Sequence, residues 1–366
     1  MGFKQLVSTG ITGLASNAAS LGVIRMKTSS ITQRWALSIQ KWLMLVPVLF
    51  LSHNLGAQET DKPIKIASGI RCAKVSSDGN TCYVSLVSDA PCVGEYSIGT
   101  GKLLRQFPAD RGQHRAIAVE NSGKLLAYSI WSKEPSFLGI RLWDLKNNKK
   151  RFDINVGDVV TFVAFSPSGG ALACADADGV IRIWNCESGR EQAELRGHTS
   201  SAYLAFSTNG KMLASAGEDG RVIIWNIQTK KQILSVQRPR TCFLAVAFSR
   251  DEKSVIAGGQ DGTVHFWEVN SKQHKSLTLS EAHTPLTALA FSNSLDRLAS
   301  GDNDSRVRTW DLTNGKLLQQ LPVRDLSVIK FVDFTKTDAR LFSASVLSLE
   351  EDTTEIRIWS LQAKQK

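Results

Sequence analysis

A serine, a histidine and an aspartate stand at matched distances ahead of a tryptophan twice in this chain. His198, Ser215 and Asp219 lie 27, 10 and 6 residues before Trp225; His283, Ser300 and Asp304 lie 27, 10 and 6 residues before Trp310. Such a trio can run nucleophilic catalysis when the hydroxyl faces a cleft. It can equally form a closed chain of hydrogen bonds in which indole, hydroxyl and imidazole each find a partner. An active site is needed once, whereas an architectural element is needed at every repeat, so two copies in register favour the second reading. The other histidines, His53, His114, His265 and His274, have no ligand spacing, and neither a CxxC nor a Cys/His cluster occurs. A metal or cofactor is therefore not expected.

The tryptophans set the frame. Trp143, Trp184, Trp225, Trp267, Trp310 and Trp359 are separated by 41, 41, 42, 43 and 49 residues. Each ends a short β-rich run such as Ile-Arg-Ile-Trp (181–184) or Val-Ile-Ile-Trp (222–225), and Asp144, Asn185, Asn226, Glu268 or Asp311 follows the first five. Residues 197–226 hold three such runs parted by turns with glycine, and Gln-Ile-Leu-Ser-Val (232–236) supplies a fourth. A period of this length signals a repeat architecture. On these in-phase motifs the chain resembles the WD-repeat β-propeller family over residues 62–362. The fold this implies is all-β: four-stranded antiparallel blades around a channel.

Tyr96 stands at the Trp position of a weaker first repeat, so the blade ends are 96, 143, 184, 225, 267, 310 and 359, a count of seven. The last blade runs out of chain before its outer strand. Pro63-Ile64-Lys65-Ile66-Ala67 is available to supply it, which would close the ring and remove free sheet edges. The resemblance implies two structural tetrads, Trp225–Ser215–His198–Asp219 and Trp310–Ser300–His283–Asp304. Cys174 and Ala257 replace the serine elsewhere, and those blades are expected to rely on apolar packing.

Function is then expected on rims and loops. Two blades carry long connections between their second and third strands: Trp131–Leu138, with large apolar side chains, and Leu347–Glu355, which is acidic. The family often places a partner-contacting residue four positions before the end of the innermost strand. The matched residues here are Arg71, Arg115, Thr161, Ala202, Leu244, Thr287 and Lys330. The cations fall in blades 1, 2 and 7, consecutive once the ring closes. Arg71, Arg115 and Lys330, flanked by Trp131 and Phe137, are the candidate partner-binding patch; the competing reading is a set of solvated charges near Glu350, Glu351 and Asp352.

Residues 1–57 contain five cations and no carboxylate, and Trp42–Leu51 is an apolar run ending before small residues. This is the pattern of a secretory leader, with a possible true start at Met26. Ten apolar residues are too few to span a bilayer, which takes about 20; an uncleaved anchor is the alternative. Residues 58–61 read as a linker and 363–366 as a tail. Of 44 basic and 34 acidic residues, removing the leader leaves 39 against 34, so a general nucleic-acid binder is not indicated. Export would permit disulfides among six cysteines, though Cys72, Cys174 and Cys242 read as small core residues. The expected protein is an exported, monomeric, non-enzymatic interaction scaffold for a protein or peptide partner. The alternative is a propeller enzyme or sugar-binding protein working at the channel mouth.

Overall fold

The computed structural model describes residues 63–87, 92–108, 115–132, 137–282, 284–323, 327–347 and 353–361. Every sheet has four strands, and there are seven of them. Apolar runs of three to eight residues form the strands, and the second and third strands of most blades are buried on both faces because each sheet has a neighbour on either side. Antiparallel pairing through short turns stacks consecutive runs into a blade. The innermost strands are Gly69–Val75, Ile117–Val119, Val160–Phe165, Ala202–Phe206, Phe243–Phe248, Leu286–Phe291 and Ser327–Phe334. Each touches the next, and the last touches the first, so the ring is closed. No helix among the described residues is long and apolar enough to cross a membrane.

Closure is made by the strand Ile64–Ile66. It pairs antiparallel with Thr354–Ser360, in the register Ile64 to Ile356, Lys65 to Glu355 and Ile66 to Thr354. Ile64 and Ile66 are buried in the cluster shared by blades 7 and 1, with Val84, Phe342 and Ile356. The Thr354 hydroxyl donates to the Ser68 carbonyl at 2.9 Å. On the channel side Lys74 meets Asp333 at 2.6 Å across the same junction.

Each of the seven junctions between blades has its own buried cluster. The periodic tryptophans lie in them: Trp225 packs on blade 3, Trp267 on blade 4, Trp310 on blade 5 and Trp359 on blade 6. Tyr96 fills the matching place between blades 7 and 1. The core is thus distributed around the ring, as a repeat protein requires.

Two rims result. Connections from second to third strands and from blade to blade form the loop rim; the remaining hairpins form the turn rim. Gly79, Gly123, Gly169 and Gly210 hold left-handed φ of 70–74° in first-to-second turns, and Glu252, Leu295 and Asp338 take the same conformation in blades 5 to 7. The two long connections are shorter than their sequence suggests. Trp131 pairs with Leu138 and Ser132 with Phe137, so the hairpin of blade 2 continues as strand. Glu355 likewise lies within the strand Thr354–Ser360 and is buried rather than part of an acidic rim. Glu350, Glu351 and Asp352 lie outside the described residues.

If three residues close the ring, Ile66→Ala should lower unfolding free energy by about 2–4 kcal/mol in urea titration. Lys65→Ala should change it by less than about 0.5 kcal/mol, since the 4.0 Å contact of Lys65 with Glu355 is solvent-facing on the lysine side. Equal effects from the two would contradict the assignment of closure to apolar burial.

Candidate functional site

The residues singled out by their chemistry fall into two places, the junctions between blades and the loop rim. In blade 4 the four members of the first tetrad meet. Trp225 Nε1 donates to Ser215 Oγ at 2.8 Å, His198 Nε2 lies 2.7 Å from that oxygen, and Nδ1 lies 3.1 Å from Asp219. Burial holds the His198 imidazole below its ordinary pKa, outweighing the neighbouring Asp219 carboxylate. A neutral ring that donates from Nδ1 to Asp219 leaves Nε2 to accept from the serine. Burial works to raise the Asp219 carboxyl, but it is nonetheless held low, because it accepts from the Thr199 and Arg221 amides and from His198. Ser215 is fully buried, so no substrate can reach its hydroxyl.

Blade 6 differs. Trp310 Nε1 donates to Ser300 Oγ at 2.8 Å, while His283 lies outside the described residues. Asp304, expected in the tetrad, is exposed. The buried carboxylate is Asp302, which takes Arg308 at 2.8 Å, the Arg306 and Asp304 amides and the Thr284 hydroxyl. The physical reason is Arg308: a guanidinium two residues before the tryptophan shares its face of the strand and needs an anion in the junction.

That arrangement recurs in blades 2, 3 and 7, which lack the tetrad and for which more reliance on apolar packing is expected from sequence. Arg141 forms a fork with Asp153 at 2.7 and 3.0 Å, Arg182 meets Asp176 at 2.7 Å, and Arg357 meets Glu355 at 2.9 Å. All precede their tryptophan by two residues, so blades 2, 3, 6 and 7 each hold an arginine–carboxylate pair at a junction; both partners are buried in blade 6, one of the two in blades 2, 3 and 7. Breaking a fully buried pair such as Arg308–Asp302 typically costs about 3–5 kcal/mol, because a charge is left buried. Blade 4 has Ile223 at this position and the tetrad instead. Blade 5 has His265, whose Nδ1 is 3.0 Å from His274 Nε2, with both rings against Trp267. The pairing of Trp267 with His274 across the hairpin explains why histidines nine residues apart meet. Burial, then the nearby His274 and Arg238, push His265 down to about 4.

On the loop rim, the matched inner-strand positions have a shared backbone device. Pairing skips Thr161, Leu244, Thr287 and Lys330, and skips Arg71 together with Cys72, placing each in a β-bulge. A bulge turns a side chain out of the regular alternation. Arg71, Arg115 and Lys330 are exposed and belong to three consecutive blades. Arg115 sits just before its strand, its amide held by the Ser129 hydroxyl at 2.8 Å. Phe137 is half-buried against the cluster between blades 1 and 2, and Trp131 is half-buried on its strand. Among the described residues no three of His, Cys, Asp or Glu converge as a metal site. The six cysteines are free thiols, and burial pushes Cys72, Cys82 and Cys186 up to about 12 and Cys174 to about 11.

Two measurements check the junction chemistry. The buried Trp184 N–H faces the Cys174 thiol, a weak acceptor, and reaches no oxygen, because Cys174 occupies the strand position that serine holds in blade 4. Cys174→Ser should therefore raise unfolding free energy by about 1 kcal/mol; a loss would assign that place to thiol packing. His265 remains neutral in the folded state down to about pH 4, whereas the unfolded chain protonates it from about 6.5. Stability should fall as pH drops from 6.5 toward 4, because the unfolded state binds the extra proton. His265→Phe should make that fall shallower in pH-dependent urea titrations, and an identical pH profile would refute the assignment.

Residues 146–332 match the family model described as the Vps42 beta-propeller, of the Vps41 type. No curated protein sequence matches the chain. The β-propeller domain of Cps50 (Swd1) from Myceliophteria thermophila superposes with a TM-score of 0.69 at 16% identity, covering 84% of this chain and 100% of that one. U3-55K superposes with a TM-score of 0.68 at 19% identity, with the same coverages of 84% and 100%. At such identities the likeness speaks for the fold alone. With just over half of its length inside the family match, the chain belongs to this family of WD-repeat-like β-propellers.

Proposed function

We propose that the chain is an exported, monomeric, non-enzymatic scaffold that receives an acidic peptide or protein segment on the loop rim of blades 7, 1 and 2. The observation that carries the reading is the run of bulged or strand-leading cations Arg71, Arg115 and Lys330 on consecutive inner strands, against uncharged Thr161, Ala202, Leu244 and Thr287 around the rest of the mouth. A field polarised in this way steers an anionic segment to one side of the channel. The ring presents these positions on a rigid backbone, so little ordering entropy is lost on association. Burial of Ser215 supports a structural role for the Ser–His–Asp chemistry. Support for export is confined to the cationic and apolar leader, residues 1–57.

The double variant Arg71→Glu with Lys330→Glu should reduce partner recovery at least tenfold in affinity purification from an extracytoplasmic extract, with thermal unfolding unchanged. An unaltered set of recovered proteins would remove the basis for this patch.

A further inference from the structure

The opposite, turn rim carries a second pattern that is independent of the loop-rim reading. In six blades the hairpin from third to outer strand passes through one left-handed residue: Gly101, Asn148, Gly189, Lys230, Lys272 or Gly315. The next residue is Lys102, Lys149, Arg190, Lys231 or Lys316 in five of them, and in blade 5 the left-handed residue is itself Lys272. All six of these cations are exposed, and none forms an ion pair with a described residue. Over residues 98–102, 144–151, 185–191, 226–232, 268–275 and 311–316 there are eleven Lys and Arg against five Asp and Glu.

Three of the five carboxylates in these hairpins serve the turns. Asp144 accepts from the Asn147 amide, Asp311 from the Thr313 amide and Glu268 from the Ser271 hydroxyl. In blades 3 and 4 neutral Asn185 and Asn226 do the same work; in blade 4 this leaves no charge to offset Lys230 and Lys231, whereas in blade 3 Glu187 and Glu191 flank Arg190. Blade 2 concentrates the effect, where Lys124, Lys146 and Arg151 line a cleft of 220 Å³. The two carboxylates of that cleft are engaged by neighbours, Glu120 by the Ser122 hydroxyl and Asp144 by Asn147.

Two further observations fall on the same rim. Leu103 and Leu104 follow Lys102 directly and are 44% and 52% exposed, two of three large apolar side chains so exposed among the described residues. Ile64, where the described chain joins the propeller, lies beside Gly101 in that same turn. Pro63, the first described residue, therefore stands at the turn rim.

From these we infer that the turn rim docks flat on an anionic lipid bilayer. Flexible lysines spread around a circumference suit a diffuse, planar negative surface, toward which each adds favourable attraction. Leu103 and Leu104 beside Lys102 suit the headgroup boundary, where small apolar groups insert under a cationic collar. A nucleic acid would call instead for a continuous track with arginine forks and stacking aromatics, which these turns lack.

The test is sedimentation of the full chain with vesicles of phosphatidylcholine alone or with 30% phosphatidylglycerol. The variant Lys102→Gln, Lys149→Gln, Lys231→Gln, Lys316→Gln removes four exposed, unpaired charges and should melt as wild type does. Wild type should prefer the anionic vesicles, and the variant should lose that preference by at least a hundredfold, at about fivefold for each cation. Arg71→Gln with Lys330→Gln, on the other rim, should leave vesicle binding unchanged, which separates this inference from the loop-rim proposal. Equal binding of wild type to both vesicle types, or retained preference in the fourfold variant, would overturn it. So would loss of single-stranded oligonucleotide binding in that variant without any vesicle preference in wild type.

Discussion

In a seven-bladed ring every blade depends on a neighbour on each side to cover its faces. Here that condition rests on three residues, Ile64 to Ile66, completing the sheet that Thr354–Ser360 would otherwise leave with an open edge. The buried isoleucines bring apolar area, and the Thr354–Ser68 bond ties the closing strand to blade 1. Everything on either rim inherits its position from that closure. Arg71 and Lys330 face one mouth only because blade 7 has been brought beside blade 1.

Within the ring, each junction solves the same problem with different chemistry. In blades 2 to 7 an indole packs against the preceding blade, and in all of these except blade 4, which has Ile223, a polar group two residues earlier on its strand must be satisfied beside it. Blade 4 uses a hydroxyl–imidazole–carboxylate chain, blades 2, 3, 6 and 7 use arginine with an acid, and blade 5 uses a pair of histidines. These are alternative ways of burying polarity without an orphan, so loss of the tetrad in most blades leaves the ring intact. Trp184, facing a thiol instead of a hydroxyl, is a place where the solution is weaker.

Much of this was readable in the chain, and the reasons for the remainder are specific. The spacing of the tryptophans marks the blades, and the orphaned apolar run Ile64–Ile66 marks the closing strand. The runs Ile-Arg-Leu-Trp and Val-Arg-Thr-Trp already put arginine on the tryptophan face by two-residue alternation, yet nothing local says which acid answers it. Asp176 and Asp178, or Asp302 and Asp304, differ only in which one the hairpin turns inward. His265 and His274 look scattered because their meeting depends on register. Leu295 and Glu252 conceal a left-handed turn that glycine announces in blades 1 to 4. At the rims, Arg71 and Lys330 were found through family spacing, whereas the bulge that turns them outward, and the cation following each left-handed turn residue, required the backbone.

Native-state hydrogen exchange followed by mass spectrometry addresses ring closure most directly. Peptides spanning 64–66 and 354–360 should exchange with the same opening free energy as those from the inner strands of blades 3 to 5, as one cooperative unit. Rapid exchange at the closing pair, with the other six blades still protected, would mean that the ring stands without it, and the account would be wrong.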